Sequence, residues 1–364
     1  MQGVNKRIIA INLPQYHPIP ENDKWWGKGF TEWTNVSKAK PIFKGHYQPH
    51  LPGDLGYYDL RLEEARLAQA ELARQFGIHG FCYYHYWFNG KRLLHEPLDA
   101  ILRTGKPEFP FMYCWANENW NRRWDGNEEE VLIKQEYSFQ DDIAHIKFLC
   151  ERVFTDRRYI RVNGKPFFAV YRPLLFPDIR KTVEIWRLEA AKYGIDLYLG
   201  YMQSFKSRFP PEENGFDVAI DFEPDFYTEV MNLKPSVKDL IYEKIKNGSS
   251  VFRNNRVVEY ALYADSRRKI PVPGYKQFPS ITPMWDNTAR RKKGAFILKD
   301  STPELYGSWL EDIIKKFKPY SVEENFIFIN AWNEWAEGNH LEPDLKWGDQ
   351  YLKATKRAIE ENES

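Results

Sequence analysis

Short apolar runs recur about eight times along this chain of 364 residues, each followed by polar and aromatic residues. They fall at 7–13, 80–86, 109–115, 167–171, 197–202, 216–222, 280–285 and 326–332. Several are apolar without alternation, which is the pattern of parallel strands buried on both faces. Stretches with helical periodicity lie between them. Residues 59–77 carry Ala65, Ala68, Leu72 and Phe76 at three- and four-residue spacing, with Asp59 as N-cap and Gly77 as stop signal. Thr302-Pro303 opens another helix, with Leu305, Trp309, Ile313 and Phe317 along one face. Residues 182–194 predict a third.

Strands alternating with helices imply a parallel sheet. Eight strands in a chain of this length predict an α/β fold closed into a (β/α)8 TIM barrel, with residues 1–364 as one domain. A doubly wound sheet is the rival. It lacks support, because Leu13-Pro14-Gln15-Tyr16-His17-Pro18 is not a glycine-rich phosphate loop. Only 204–215, with two prolines, separates the fifth run from the sixth, so that crossover helix is expected to be missing or rudimentary. Long connections follow the first, third and sixth strands, at 14–58, 116–166 and 223–279. Loops after strands build the active face of a barrel. Residues 21–52, with Trp25, Trp26, Trp33, His46 and His50, are therefore a candidate wall of the site.

The formal net charge is +1 with no block of like charges, so no nucleic-acid partner is expected. No apolar run approaches the ~18 residues of a membrane span. The N-terminus leads straight into a strand without a signal peptide, and a cytoplasmic protein is expected; a trimmed exported protein would read the same. Three widely spaced cysteines, Cys82, Cys114 and Cys150, argue against a disulfide framework or a zinc site. Nothing speaks to oligomeric state.

Aromatic residues make up 16% of the chain, and many sit beside His, Asn, Asp or Glu rather than in a purely apolar setting. Flat rings next to hydrogen-bonding groups suit a sugar, with its apolar C–H faces and polar rim. The strongest such segment is Asn330-Ala331-Trp332-Asn333-Glu334-Trp335-Ala336-Glu337-Gly338, just past the last apolar run. Glycoside cleavage needs two carboxyls, one to protonate the leaving oxygen and one to deal with the anomeric centre. Glu334 and Glu337 are the candidates, with Trp332 and Asn333 as substrate contacts. A second segment runs through Trp115, Asn117 and Glu118 to Trp124, with the amide and acid as hydroxyl partners and the indoles as stacking faces. Tyr16, His17, His85 and Trp87 end the first two strands and are expected to touch substrate. No His-x-His or His-Glu-x-x-His grouping marks a metal site. No cofactor is expected, and the partner is an oligosaccharide or polysaccharide.

These stretches resemble the WbsX-type proteins, which are related to glycoside hydrolase family 99. The resemblance rests on the Leu13–Pro18 segment, Trp25-Trp26-Gly27-Lys28-Gly29-Phe30-Thr31-Glu32-Trp33, His46-Tyr47-Gln48-Pro49-His50, Tyr83-Tyr84-His85-Tyr86-Trp87, Cys114-Trp115-Ala116-Asn117-Glu118 and the Glu334 segment. It covers nearly the whole chain for the WbsX type. For family 99 itself it is confined to the barrel order and the Asn-Glu-Trp-x-Glu-Gly signature. The resemblance implies a metal-independent, retaining enzyme, endo-acting on an α-linked, mannose-type or bacterial surface polysaccharide. It also implies that Glu334 assists the sugar's own 2-hydroxyl as nucleophile, while Glu337 is the acid/base. WbsX-type proteins also carry glycosyltransferase names linked to O-antigen and lipopolysaccharide synthesis, so a transferase is the alternative. A non-catalytic glycan-binding barrel is the other.

Overall fold

A computed structural model describes residues 5–121, 130–205, 207–225, 251–291 and 293–362. Eight strand positions close into a ring: β1 Arg7–Asn12, β2 Ile78–Phe88, β3 Phe111–Trp115, β4 Lys165–Val170, β5 Tyr198–Met202, β6 Val218–Ile220, β7 in two pieces, and β8 Phe326–Ile329. Each pairs in parallel with the next, and β8 returns to β1 with Ala10 beside Ile329. The expected (β/α)8 barrel is therefore present, and closure leaves its strands no free edge.

The seventh strand closes the ring in an unexpected way. Gln277–Phe278 pairs with β6 and Ser280–Ile281 pairs with β8. Pro279 lies between them. It has no N–H to give, but its carbonyl accepts from Phe328 N at 2.9 Å, so the ladder changes partner at the proline. The expected strand at 280–285 is thus split. Trp285–Asp286 leaves the barrel and pairs with Phe296–Lys299 in a small side sheet.

The second strand is longer than expected. Asn89 and Gly90 have φ of 47° and 82°, the turn that folds β2 back on Lys91–Leu93 as a hairpin. Between β5 and β6 the described residues hold only the single 3-10 turn Pro211–Asn214, in keeping with the short connection.

The first long helix runs Glu63–Gln75, and its buried face is Arg66, Gln69, Ala70 and Ala73. This corrects the expected start and part of the face, since Phe76 is buried and Leu72 packs on the core as expected. Asp59 accepts from Arg61 N at 2.8 Å in a turn ahead of the helix, and Ala68 is exposed. Arg66 is held inside by the carbonyls of Leu60 and Arg61, at 2.6 and 2.7 Å, and Gln69 by Glu342 at 2.7 Å. Polar residues with tertiary partners are invisible to hydrophobic periodicity. The helix expected at 182–194 runs Ile179–Ala191, capped by Asp178, whose carboxylate accepts from Lys181 N at 3.1 Å. The helix after Thr302 is Pro303–Lys316, and its hydroxyl cap accepts from Leu305 N at 3.3 Å. Here Tyr306, Trp309, Leu310 and Ile314 turn inward, while Leu305, Ile313 and Phe317 are half-buried.

The barrel interior is filled by rings. Phe167 meets Phe278 and Phe326 at centroid distances of 6.0 and 5.6 Å. Gly200 is required beside them, because a Cβ there would lie 2.8 Å from the Phe167 ring.

Candidate active site

The chain leaving β8 is sewn onto the end of β1. Trp332 N donates to Ile11 O at 2.7 Å. Asn333 accepts from Leu13 N at 2.7 Å and donates to Leu13 O at 3.1 Å. Tyr16 donates its hydroxyl to Asn333 O and accepts from Trp335 N. Asn333–Glu334 then pairs antiparallel with Asn339–His340 across the single turn Trp335–Glu337. Both glutamates therefore project from one short, heavily braced turn.

They meet at Arg290. Its Nη1 lies 2.7 Å from Glu337 Oε1 and 3.4 Å from Glu334 Oε1. Its Nη2 and Nε face Glu32 Oε2 at 3.1 and 3.3 Å. Burial pushes the Glu334 pKa well up; the neighbouring Glu337 adds to this and Arg290 opposes it. Burial raises Glu32 as well, again against Arg290. Burial works against the charge on Arg290, but the three glutamates overrule it and hold it protonated.

The pair stands in a cleft of about 340 Å³. Tyr84, Tyr86, Tyr171, Trp120 and Trp285 form aromatic walls, and Gln15 and Asn287 supply amides. Tyr84 and Tyr86 belong to β2 and Tyr171 follows β4, so the cleft lies over the C-terminal ends of the strands.

Of the expected site residues, Glu334, Glu337 and Glu118 line this cleft together. Glu118 is paired with Arg172 at 2.9 Å. The others lie behind it. Tyr16 and Asn333 are the braces just described. His17 is fully buried, and burial pushes its pKa down to about 4. His85 contacts His145 at 3.1 Å beneath the rim, and burial pushes its pKa well down. Trp87 donates to Asp141 at 2.8 Å, and Trp115 to Trp87 O at 3.0 Å. Asn117 ties Arg172 by two hydrogen bonds, of 2.8 and 2.9 Å. Trp332 is buried among core rings, 5.1 Å from Phe81. Trp124 lies outside the described residues. Arg290 was not anticipated, since an arginine in a loop carries no periodic signal. Glu32 lay inside a recognised segment without a role.

Among the described residues, His50, His340 and Asp344 are the one group with metal-ligand atoms in mutual reach. His340 Nδ1 donates to Glu342 O at 2.9 Å, which leaves Nε2 to accept from His50 Nδ1 at 3.0 Å. Asp344 accepts from Tyr47 at 2.8 Å. The group is satisfied as a hydrogen-bonded clasp between the first and last loops. Its neighbour Asp286 is held by His46 at 2.5 Å. No helix among the described residues is long and apolar enough to cross a membrane.

A closed barrel with an aromatic cleft and two glutamates over its strand ends defines a class of (β/α)8-barrel proteins with a polar-aromatic site at the C-terminal rim. Within it, the chain belongs to the family described as Glycosyltransferase WbsX, whose sequence profile matches residues 8–355. It is 41% identical over 354 residues to the protein WxcX of Xanthomonas campestris pv. campestris, covering 97% of this chain and 49% of that protein. The chain thus spans about half the length of the curated relatives it matches. In fold it is similar to the family 99 endo-α-mannosidase of Bacteroides thetaiotaomicron, with a TM-score of 0.61 at 15% identity, covering 100% of this chain and 98% of that one. A glycoside hydrolase-like protein matches with a TM-score of 0.56 at 14% identity, over 98% and 94% of the two chains.

Proposed function

We propose that residues 1–364 form one catalytic domain, a retaining glycoside hydrolase that works without a metal through Glu334 and Glu337. The substrate class is an α-linked polysaccharide, of the mannose type or from a bacterial surface, cut internally. One observation carries the reading: a single nitrogen of Arg290 contacts both carboxylates, at 3.4 and 2.7 Å. These two oxygens are therefore closer than the roughly 6.5–9.5 Å that leaves room for water in an inverting pair. Carboxyls this close, sharing a hydrogen bond, suit a route in which the sugar's own 2-hydroxyl attacks the anomeric carbon.

Burial, with the Glu337 carboxylate beside it, raises the Glu334 pKa and favours a proton held between the two. Glu337 serves as the acid when that proton is on its carboxyl. Glu334 is then the carboxylate that takes the 2-hydroxyl proton. As the C2 oxygen bonds to the anomeric carbon, Glu337 protonates the departing glycosidic oxygen. Water opens the anhydro ring in the second step, with the proton transfers reversed.

The family description favours transfer as a second reading. A nucleotide-sugar transferase commonly holds its diphosphate at a helix N-terminus or through metal-bound aspartates. The acidic pair Asp141 and Asp142 is occupied in bracing, by Trp87 and by Thr182 at 2.9 Å.

The test is glycan cleavage by the purified protein with EDTA present, across α-mannans and bacterial surface polysaccharides, read by mass spectrometry. Glu337→Gln is expected to lose about 10²–10⁴-fold on poor leaving groups and far less on activated ones. Glu334→Gln is expected to be impaired with every leaving group. Full activity in both variants would overturn the assignment. New glycosidic products formed only when nucleotide sugars are supplied would establish transfer instead.

A further inference from the structure

Behind the Glu334–Glu337 pair stands a third carboxylate that the chemistry above does not use. Glu32 begins the short helix Glu32–Lys38 in the connection after β1, and its side chain is 2% exposed. It takes the Nη2 and Nε edge of Arg290 at 3.1 and 3.3 Å, while Nη1 faces the pair. A guanidinium is a planar fork with its donors in fixed directions. One cation is thus divided among three acids, two of them buried and Glu337 half-buried, and the edge given to one is withheld from the others.

We propose that Glu32 is a positioning residue which, by holding the Nε/Nη2 edge of Arg290, keeps one proton on the Glu334–Glu337 pair. The proposal rests on the reading of that pair as the catalytic acids. With all three acids ionised, the cluster would hold two uncompensated negative charges in a buried site. Burial penalises the charged form, and one bound proton halves the excess. Without Glu32, the fork is free to turn a full edge to the pair, and both members ionise. The pair would then have no acid to offer a leaving group.

Among the described residues, Arg290 is the cation in contact with the pair. Tyr84, Tyr86 and Tyr171 face the pair uncharged, since burial pushes each phenol far up. Asp286 is held by His46, and Glu118 by Arg172. Arg291, the next residue, lines the same cleft. The raised pKa of Glu334, to which Glu32 contributes, agrees with the geometry.

The experiment is a substrate-free titration of glutamate side-chain carboxyls by ¹³C NMR, with Glu334→Gln and Glu337→Gln identifying the pair's signals. Wild type is expected to keep a proton on the pair above the ordinary carboxylate range. In Glu32→Gln the midpoint should move down by roughly one pH unit, the effect of removing a nearby like charge. Glu32→Asp, one methylene shorter, should fall between, and it carries the test alone if Glu32→Gln does not fold. A midpoint that stays put or rises in the folded variant overturns the proposal. Because no substrate is present, a shifted midpoint without any glycan cleavage by wild type would sink the hydrolase reading and leave this one standing. Cleavage with an unmoved midpoint does the reverse. Where cleavage is found, the alkaline limb of the kcat/KM profile moves acidward with the midpoint.

Discussion

Gly338 closes the turn that carries both glutamates. Its φ is +53°, and a Cβ there would lie 2.9 Å from Asp286 Cβ and from Asp286 O. Both the left-handed backbone and the close approach demand glycine. Gly338→Ala is expected to cost about 1–3 kcal/mol and to disturb the pair. A denaturant melt and a kcat measurement check this, and an unchanged midpoint with full turnover would contradict it. The glycine and the two acids were legible in the sequence because they sit together in one segment. Arg290 was not, because its function is defined by acids 44, 47 and 258 positions away in the chain. The polar aromatics were legible as a group but not in role. Tyr16, Trp87, Asn117 and Asn333 present the donors and acceptors that a sugar wants, and a backbone wants the same ones. Residue type does not say which of the two is served.

At the scale of elements, the sequence predicted strands better than helix faces. Barrel strands buried on both sides are apolar throughout, so their existence shows even where their ends do not. Helix faces depend on what they meet. Arg66 and Gln69 are interior because carbonyls and Glu342 await them. Capping is local and was readable at Thr302-Pro303. Thr302→Ala should therefore destabilise the chain by about 1 kcal/mol, with activity kept, as measured by urea unfolding. No change in stability would mean that the cap hydrogen bond contributes nothing. Gly307 lies in the same helix, where a Cβ would come 3.2 Å from Ala354 on the helix Gln350–Glu360. That contact is a fact of packing and had no sequence signal.

For the whole molecule, burial of acids sets the response to pH. Burial raises Asp142 to about 6 and Glu342 to about 7, although hydrogen-bond donors oppose it in both. A carboxyl raised in the folded state contributes stability that is complete below its unfolded pKa of roughly 4. That contribution is lost as pH rises through the folded values. Asp286 is shifted the other way: burial opposes its charge but His46 and Thr288 win, so its contribution fails only in acid. His17, His50 and His145, whose pKa burial lowers to about 4, 3 and 3, act in the opposite sense and add stability as pH rises to their unfolded pKa of roughly 6.5. Above that value only the acid contribution changes, and the melting temperature is expected to fall from about pH 6.5 to pH 8 as Glu342 ionises. Glu342→Gln should flatten that fall, and a rise across that window would refute the account. Closed barrel order, the acid pair and the missing fifth crossover helix were determined by the sequence alone, because each follows from local patterning or from chain length. The partner change at Pro279, the clasp of His50 with His340 and the sharing of Arg290 by three acids were decided only by tertiary structure. Each joins residues far apart in the chain, and closing the barrel fixes the distances between them.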